Sequence, residues 1–486
     1  MNKQAVFEPF GVSGHVAEGR LHLSLSTPLQ RLKVYDAAGT LSGVVYGSVL
    51  KGWAKMGITV SDTDIRTDFL ISTILDFERL VLGINGSFLA ESLGSLPHRI
   101  YPDAGGTIPL VYCKATRKVG SSAWMMLDEA EYEARFLADR YRRLISSDIG
   151  GAWIPGFLTA HEGIFRLLPN YYLDLATWET QRFWPTREVV EEDLTFDEAL
   201  EICTTHMRGY VGAVGAQFDR IAPTLTAGFD TRIILAACRD IPRDKLECVT
   251  VGARDQGIDQ SLAVELTEKL GVRHRLMPVL KSSTEEGALW DRFVGHCTHE
   301  GSRETFPTLR DLHADVMFTG MYGETGRCRL YKKEMDNIND FPMDAHFIAG
   351  RVSAPTSDKE VLETLDHWLS SINWMPTQKV LDLTFNELRF GGWAMAQAPM
   401  QRAVQFTLMP MAQFDVQRAF MNLRPSLQTD SAFFSAACTA LWPETMSMKI
   451  NKFGDYRDRL AFLRKFTQRD HLTRAWRLVI TQRKSQ

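Results

Sequence analysis

Along the first part of the chain, apolar and polar positions alternate with a period near two. RLHLSL (Arg20–Leu25) sets its leucines on one face and charged or hydroxyl residues on the other, which predicts a half-buried strand. LVLGINGSFLAE (80–91) and TIPLVYC (107–113), apolar runs broken or bounded by glycine, predict further strands. One segment departs from this rhythm. LDEAEYEARFLADRYRRLISS (127–147) spaces its apolar residues for a helix, with acids at its start and bases at its end, as the helix dipole favours.

The period changes beyond about residue 190. Thr195-Phe196-Asp197-Glu198 is a capping box that opens a helix. PTL (223–225) leads into an apolar, helix-like run. LECVTVGA (246–253) reads as a buried strand, DQSLAVELTEKLG (259–271) as a helix closed by Gly271, and VRHRLMPV (272–279) and ADVMFTG (314–320) as strands. Strand and helix alternate, which is the pattern of a parallel sheet with crossover helices. From about 355 onward the chain reads as mainly helical. The expected class is α/β. Residues 1–190 form one domain rich in antiparallel strands and residues 191–486 form a second, with the boundary just after Trp184-Pro185-Thr186.

Composition narrows the field. A chain of 486 residues exceeds one ordinary core, which supports two domains. A net charge of −4 argues against nucleic acid as a partner. No apolar run reaches the length of a membrane span, and the start lacks a secretion signal. Seven scattered cysteines form no disulfide framework, so a cytoplasmic location is expected.

The candidate chemistry lies at two strand ends. Thr226-Ala227-Gly228-Phe229-Asp230-Thr231 follows a strand and opens a helix. A helix N-terminus at the carboxyl end of a parallel strand is an anion site. Ala227 and Gly228 let the backbone approach a phosphate, and Thr226 and Thr231 add hydroxyls. Asp230 would repel phosphate, so it makes sense as a ligand of a bridging Mg²⁺. A second strand end, Thr319-Gly320-Met321-Tyr322-Gly323-Glu324, again combines small residues with a carboxylate. Side by side, the two ends would hold two carboxylates around one metal. No Walker-type phosphate loop is present. His296-Cys297-Thr298-His299 lacks a second ligand pair, and the basic tail 464–484 reads as a solvated helix.

These residues carry a resemblance. LTAGFDT (225–231), then Val251-Gly252, then TGMYGE (319–324) is similar in order and type to the S-G-G-x-D-S loop, V-G strand end and S-G-x-G-[GS]-D-E loop of the asparagine-synthetase family, which includes β-lactam synthetases and lasso-peptide cyclases. LDLTFNELRFGGW, PMAQFDVQRAF and KINKFG resemble three later family segments. HEGIFRLLPNYYLDL and RIYPDAGGTIPLVYC resemble two N-terminal passages. The resemblance implies an N-terminal αββα sandwich like that of N-terminal-nucleophile glutaminases. It implies a C-terminal parallel-sheet domain of the adenine-nucleotide α-hydrolase-like, PP-loop ATP pyrophosphatase type. It places ATP and Mg²⁺ at the site, with Asp230 and Glu324 on the metal and the backbones of Leu225, Val251 and Gly320 on the adenosine. Glu387, Lys452 and Tyr322 become candidate catalytic side chains, with Lys449 as a competitor for Lys452 and Asp415 in a structural role.

The expected activity is ATP-dependent adenylation of a carboxylate, with release of pyrophosphate and coupling to an amine. The carboxylate belongs to a small molecule or a peptide. No nucleophile stands near Met1-Asn2-Lys3, so glutamine is not the expected nitrogen source. Ring closure within one substrate and amidation of a metabolite or surface-polysaccharide sugar acid with free or externally supplied ammonia both remain open. So does a non-catalytic nucleotide-binding scaffold. A homodimer or a partner biosynthetic protein is compatible with each.

Overall fold

The alternating segments of the first part form two sheets. The computed structural model describes residues 9–53, 55–145, 153–187, 193–252, 257–298, 303–333, 338, 341–428 and 431–458. One sheet has five antiparallel strands in the order Phe165–Leu167, Leu110–Cys113, Lys118–Gly120, Val12–Ala17 and Arg20–Leu25. The other has eight, built around Leu41–Val49 paired antiparallel to both Gln30–Tyr35 and Gly86–Ser92. Helix Ile74–Gly83 packs on the larger sheet, where Phe77 closes over Gly43, and the short helix Ala123–Met126 packs on the smaller one.

Two local expectations change. The LVLG of LVLGINGSFLAE is the end of helix Ile74–Gly83, and only Gly86–Ser92 is strand. The helix is fixed upstream by a capping box between Thr73 and Asp76. The long helix expected over 127–147 is two, Glu129–Arg135 and Ala138–Leu144. Between them Phe136 bridges to His161, and the Leu137 N–H donates to the Ala160 carbonyl at 2.9 Å, which pulls the backbone off the helical path.

The second half contains the parallel sheet. Its strands, in spatial order, are Arg273–Pro278, Glu247–Gly252, Ile221–Pro223, Val316–Phe318 and Thr407–Leu408. Every neighbouring pair is parallel, the central pair of ladders being joined by bridges Ile221–Leu246 and Thr224–Val249. In chain order this is 3-2-1-4-5, a doubly wound sheet whose order reverses between its first and fourth strands. Helix Phe229–Ala237 follows the first strand and helix Ile258–Leu270 the second, the latter ending on Gly271 at φ 63°. Thr195 and Glu198 form the expected capping box on helix Phe196–Gln217.

The expected division at 190/191 falls among residues 188–192, outside the described residues. On either side of it the halves share one continuous apolar core, from Phe10 to Met448. Polar ties cross the same seam: Arg402 donates to the Thr107 carbonyl at 2.6 Å, and Gln413 brackets the Gly86 backbone at 2.9 and 3.1 Å. Among the described residues no helix is long and apolar enough to cross a membrane.

Candidate functional site

Because Ile221–Pro223 and Val316–Phe318 are parallel, the chain leaves both at the same edge of the sheet, at the point where strand order reverses. That is where an open α/β sheet offers a crevice. The first loop is shaped by its hydroxyls. Thr231 Oγ1 accepts from the Thr226 N–H at 2.9 Å and lies 2.9 Å from Thr226 Oγ1, which in turn accepts from the Gly228 N–H at 3.3 Å. Helix Phe229–Ala237 then starts at Gly228 with no side-chain cap. Its first-turn N–H groups and positive dipole end are left for an anion. One donor of the loop is already engaged: the Ala227 N–H donates to Asp259 Oδ1 at 2.9 Å, so a carboxylate from the neighbouring helix sits on the loop.

Asp230 is in the first turn of that helix. Its Oδ2 accepts from Arg327 at 2.5 Å, while its Oδ1 is buried without a partner. Burial, opposed by the Arg327 guanidinium and reinforced by Glu324, pushes the Asp230 carboxyl up to about 6. Glu324 comes from the second strand end and lies 3.9 Å from Arg327 and 3.7 Å from Arg329. The close fit of the two loops needs glycine. A Cβ on Gly320 would stand 2.6 Å from the Asp230 carbonyl carbon, and one on Gly323 would stand 2.6 Å from Asp230 Oδ1. The second loop enters a 3₁₀ turn, Gly323–Arg327, bracketed by Tyr322 at φ 72° and Cys328 at φ 51°. A buried carboxylate with one unpartnered oxygen, sharing an arginine with a second carboxylate, is a donor pair of the chemical type that takes a hard divalent cation such as Mg²⁺.

A third segment reaches the loop from far along the chain. Arg232, fully buried two residues after Asp230, donates to the carbonyls of Met448 (2.6 Å) and Thr445 (3.3 Å). That clamp sets down the following stretch so that the Asn451 N–H donates to the Ala227 carbonyl at 3.0 Å. Lys452 is therefore one residue from the loop, with its side chain exposed; Lys449 is exposed as well. Val251, at the end of its strand beside Gly252, is 44% exposed and open to a ligand. Leu225 is engaged instead: its N–H donates to the Val249 carbonyl at 2.8 Å and its carbonyl accepts from Thr250 at 2.7 Å. Its N–H is thus used by the sheet and its carbonyl by the Thr250 hydroxyl.

Two expected catalytic side chains, Glu387 and Tyr322, are fully buried and hydrogen-bonded within the protein. Glu387 is fully buried and both of its oxygens are taken. Arg182 donates to each at 2.6 Å, Asn170 to Oε1 at 2.8 Å and the Trp368 indole to Oε2 at 2.7 Å. It lies on the π-helical segment Thr384–Ala394 and ties that segment to the N-terminal half. No lone pair is left in this arrangement to take a proton from an amine. Tyr322 is likewise sealed. Its hydroxyl donates to the Gly105 carbonyl at 2.5 Å, its ring stacks on Phe390 at 4.3 Å, and burial holds its phenol well above the usual range. Tyr322 thus anchors the second loop it belongs to, and Asn386, next to Glu387, accepts from the Thr325 hydroxyl at 2.6 Å in the turn that follows. Asp415 accepts from Lys55 and lies 3.2 Å from His206, in keeping with a structural role.

Sequence reasoning missed Arg327, Arg329 and Asp259. The first two belong to a basic run, RCRLYKK (327–333), directly after Glu324. That run was the available signal, whereas nothing local marks Asp259. Of the other motifs, His299 and the tail 464–484 lie outside the described residues. No group of three metal-ligating side chains occurs among the described residues.

No protein-family model matches this sequence, and no curated protein matches it. Among solved structures, the U34-tRNA thiolase from Methanococcus maripaludis matches at 11% identity and a TM-score of 0.21, over 48% of this chain and 86% of its own. The NMN synthetase from Francisella tularensis matches at 13% identity and a TM-score of 0.20, over 37% of this chain and 73% of its own. The glutamine-dependent NAD⁺ synthetase from Acinetobacter baumannii, solved with ADP, matches at 16% identity and a TM-score of 0.20, over 46% of this chain and 41% of its own. Likenesses this slight fix neither the fold nor the chemistry of this chain.

Proposed function

We propose that this chain is an ATP-dependent carbon–nitrogen ligase. A substrate carboxylate oxygen attacks the α-phosphorus of ATP, the bond to the β-phosphate breaks, and pyrophosphate leaves. An amine then attacks the activated acyl carbon, loses a proton and displaces AMP. The observation that carries this reading is the meeting of Asp230 and Glu324 from two strand ends around Arg327, at the uncapped start of a helix. In the ligase reading, the first-turn N–H groups of helix Phe229–Ala237 and the Thr226 hydroxyl bind the departing pyrophosphate. Asp230 and Glu324 would hold Mg²⁺, which supplies charge neutralisation at the phosphates. Lys452, set beside the loop through Asn451, follows negative charge as it moves from adenylate to tetrahedral intermediate. All seven cysteines are buried, so none presents a thiol for glutamine hydrolysis, in line with an amine supplied otherwise.

A second reading has its own support. Arg327 occupies Asp230 and Asp259 occupies the Ala227 N–H, so the site is self-satisfied in part. A nucleotide-binding scaffold without turnover fits that state. Incubation with ATP, Mg²⁺ and a panel of carboxylates and amines separates the two. AMP and pyrophosphate in equal amounts support the ligase. ATP binding with neither product across the panel supports the scaffold.

A further inference from the structure

A second recess adjoins the phosphate site and was not anticipated. It encloses about 330 Å³ and is lined by Arg327, Arg329, Leu330, Lys332, Lys333, Arg351 and Ser431. Five of these seven side chains are cationic and none is a carboxylate. Arg327 pairs with Asp230, Arg327 and Arg329 lie 3.9 and 3.7 Å from Glu324, and Arg351 donates to the Leu330 carbonyl at 2.8 Å, while Lys332 and Lys333 are exposed and form no ion pair among the described residues. Like charges gathered in one recess repel one another, and a bound anion relieves that cost. The backbone is also held in an unusual way here. Tyr322 and Cys328, both non-glycine, adopt left-handed φ of 72° and 51° at either end of the turn that carries Arg327. Local strain of this kind persists where the surroundings over-determine it, and it concentrates at binding sites.

We propose that this recess is the acceptor-side subsite for a polyanionic substrate, an acid with further carboxylate or phosphate groups besides the one that reacts. The assignment rests on the ligase reading above. Arg327 is the hinge of the geometry: it touches Asp230 on the phosphate side and lines the recess on the other. An acid placed with one carboxylate at the α-phosphate lays its remaining charges against Arg329, Lys332 and Lys333. Guanidinium forks take carboxylate or phosphate in bidentate fashion, and the lysines add mobile point charges.

Calorimetric titration of the full chain tests this with three probes: tricarballylate, 3-phosphoglycerate and acetate, beside α,β-methylene-ATP with Mg²⁺. Wild type is expected to bind one or both polyanions and not acetate. Tricarballylate alone marks a polycarboxylate site, and 3-phosphoglycerate alone a phosphate-reading one. The double variant Lys332→Gln/Lys333→Gln changes only exposed side chains. It is expected to weaken polyanion binding about tenfold or more while the nucleotide analogue binds within about twofold of wild type. Polyanion binding that is absent in wild type, or unchanged in the double variant, overturns the subsite. Equal loss of polyanion and nucleotide binding assigns the recess to the triphosphate and overturns it too. Polyanion binding by a wild type that binds no nucleotide contradicts the ligase reading itself, and with it the substrate role of the recess.

Discussion

The molecule contains two carboxylate–arginine pairs that look alike on paper and are opposites in environment. Glu387 and Arg182 are sealed between the two halves; every carboxylate lone pair has a donor, and neither side chain is more than 4% exposed. Burial works against the Arg182 charge, but Glu387 and Tyr171 more than compensate and hold the guanidinium above its ordinary range. Asp230 and Arg327 sit at the rim of the parallel sheet, each about a quarter exposed, with Asp230 Oδ1 and Arg327 Nε unpartnered. The saturated pair can only hold structure together. The unsaturated pair has something left to bind. This difference in completion, more than the presence of a carboxylate, separates the frame from the site.

The contrast is sharpest in substitution. Glu387→Gln leaves the Arg182 charge buried without a counter-ion, and a loss of about 3–5 kcal/mol in unfolding free energy is expected by denaturant titration. A loss below 1 kcal/mol would show that the network is dispensable. Asp230→Asn and Glu324→Gln, by contrast, should fold normally yet lower pyrophosphate release at least about a hundredfold. Near-normal release at saturating Mg²⁺ by either variant would remove that carboxylate from the site.

Asp230 also distinguishes the pairs by pH. Its folded-state value, about 6, lies above the unfolded one, so its contribution to stability is full below the ordinary carboxylate range and is lost as pH rises through 6. Relative to Asp230→Asn, the ligand-free wild type should therefore lose about 2 kcal/mol of unfolding free energy between pH 4 and pH 7. A flat difference would mean that the carboxyl is not raised. The smallest expected effect concerns the lysines. Lys452→Met should slow amide formation roughly tenfold with adenylation retained, and Lys449→Met should change little. The reverse outcome would shift the register across KINKFG by three residues.

Much of the site was legible because its signals are local. A strand end, small residues, hydroxyls and one carboxylate within Thr226–Thr231 mark a strand turning tightly into an uncapped helix start, and Gly320–Glu324 repeats the pairing of small residues with a carboxylate at a strand end. The parallel sheet followed from alternation of strand and helix. What sequence left out depends on distant partners. Glu387 sits in an unremarkable helix-like stretch, and only folding brings Arg182 and Asn170, more than 200 residues away, onto it. Asp259 meets Ala227 across 32 residues, and Arg327 meets Asp230 across 97. The helix ending at Gly83 was hidden by an apolar run that suits strand and helix equally, with its capping box lying upstream of the run.

The central claim is that Asp230 and Glu324 are the nucleotide–metal end of an ATP site. Calorimetric titration of ATP into wild type, Asp230→Asn and Glu324→Gln, each with and without Mg²⁺, tests it most directly. The expected result is Mg²⁺-dependent binding by wild type that is abolished or greatly weakened in both variants, while their thermal unfolding stays close to wild type. Equal ATP affinity in all three proteins, or binding indifferent to Mg²⁺, would contradict it.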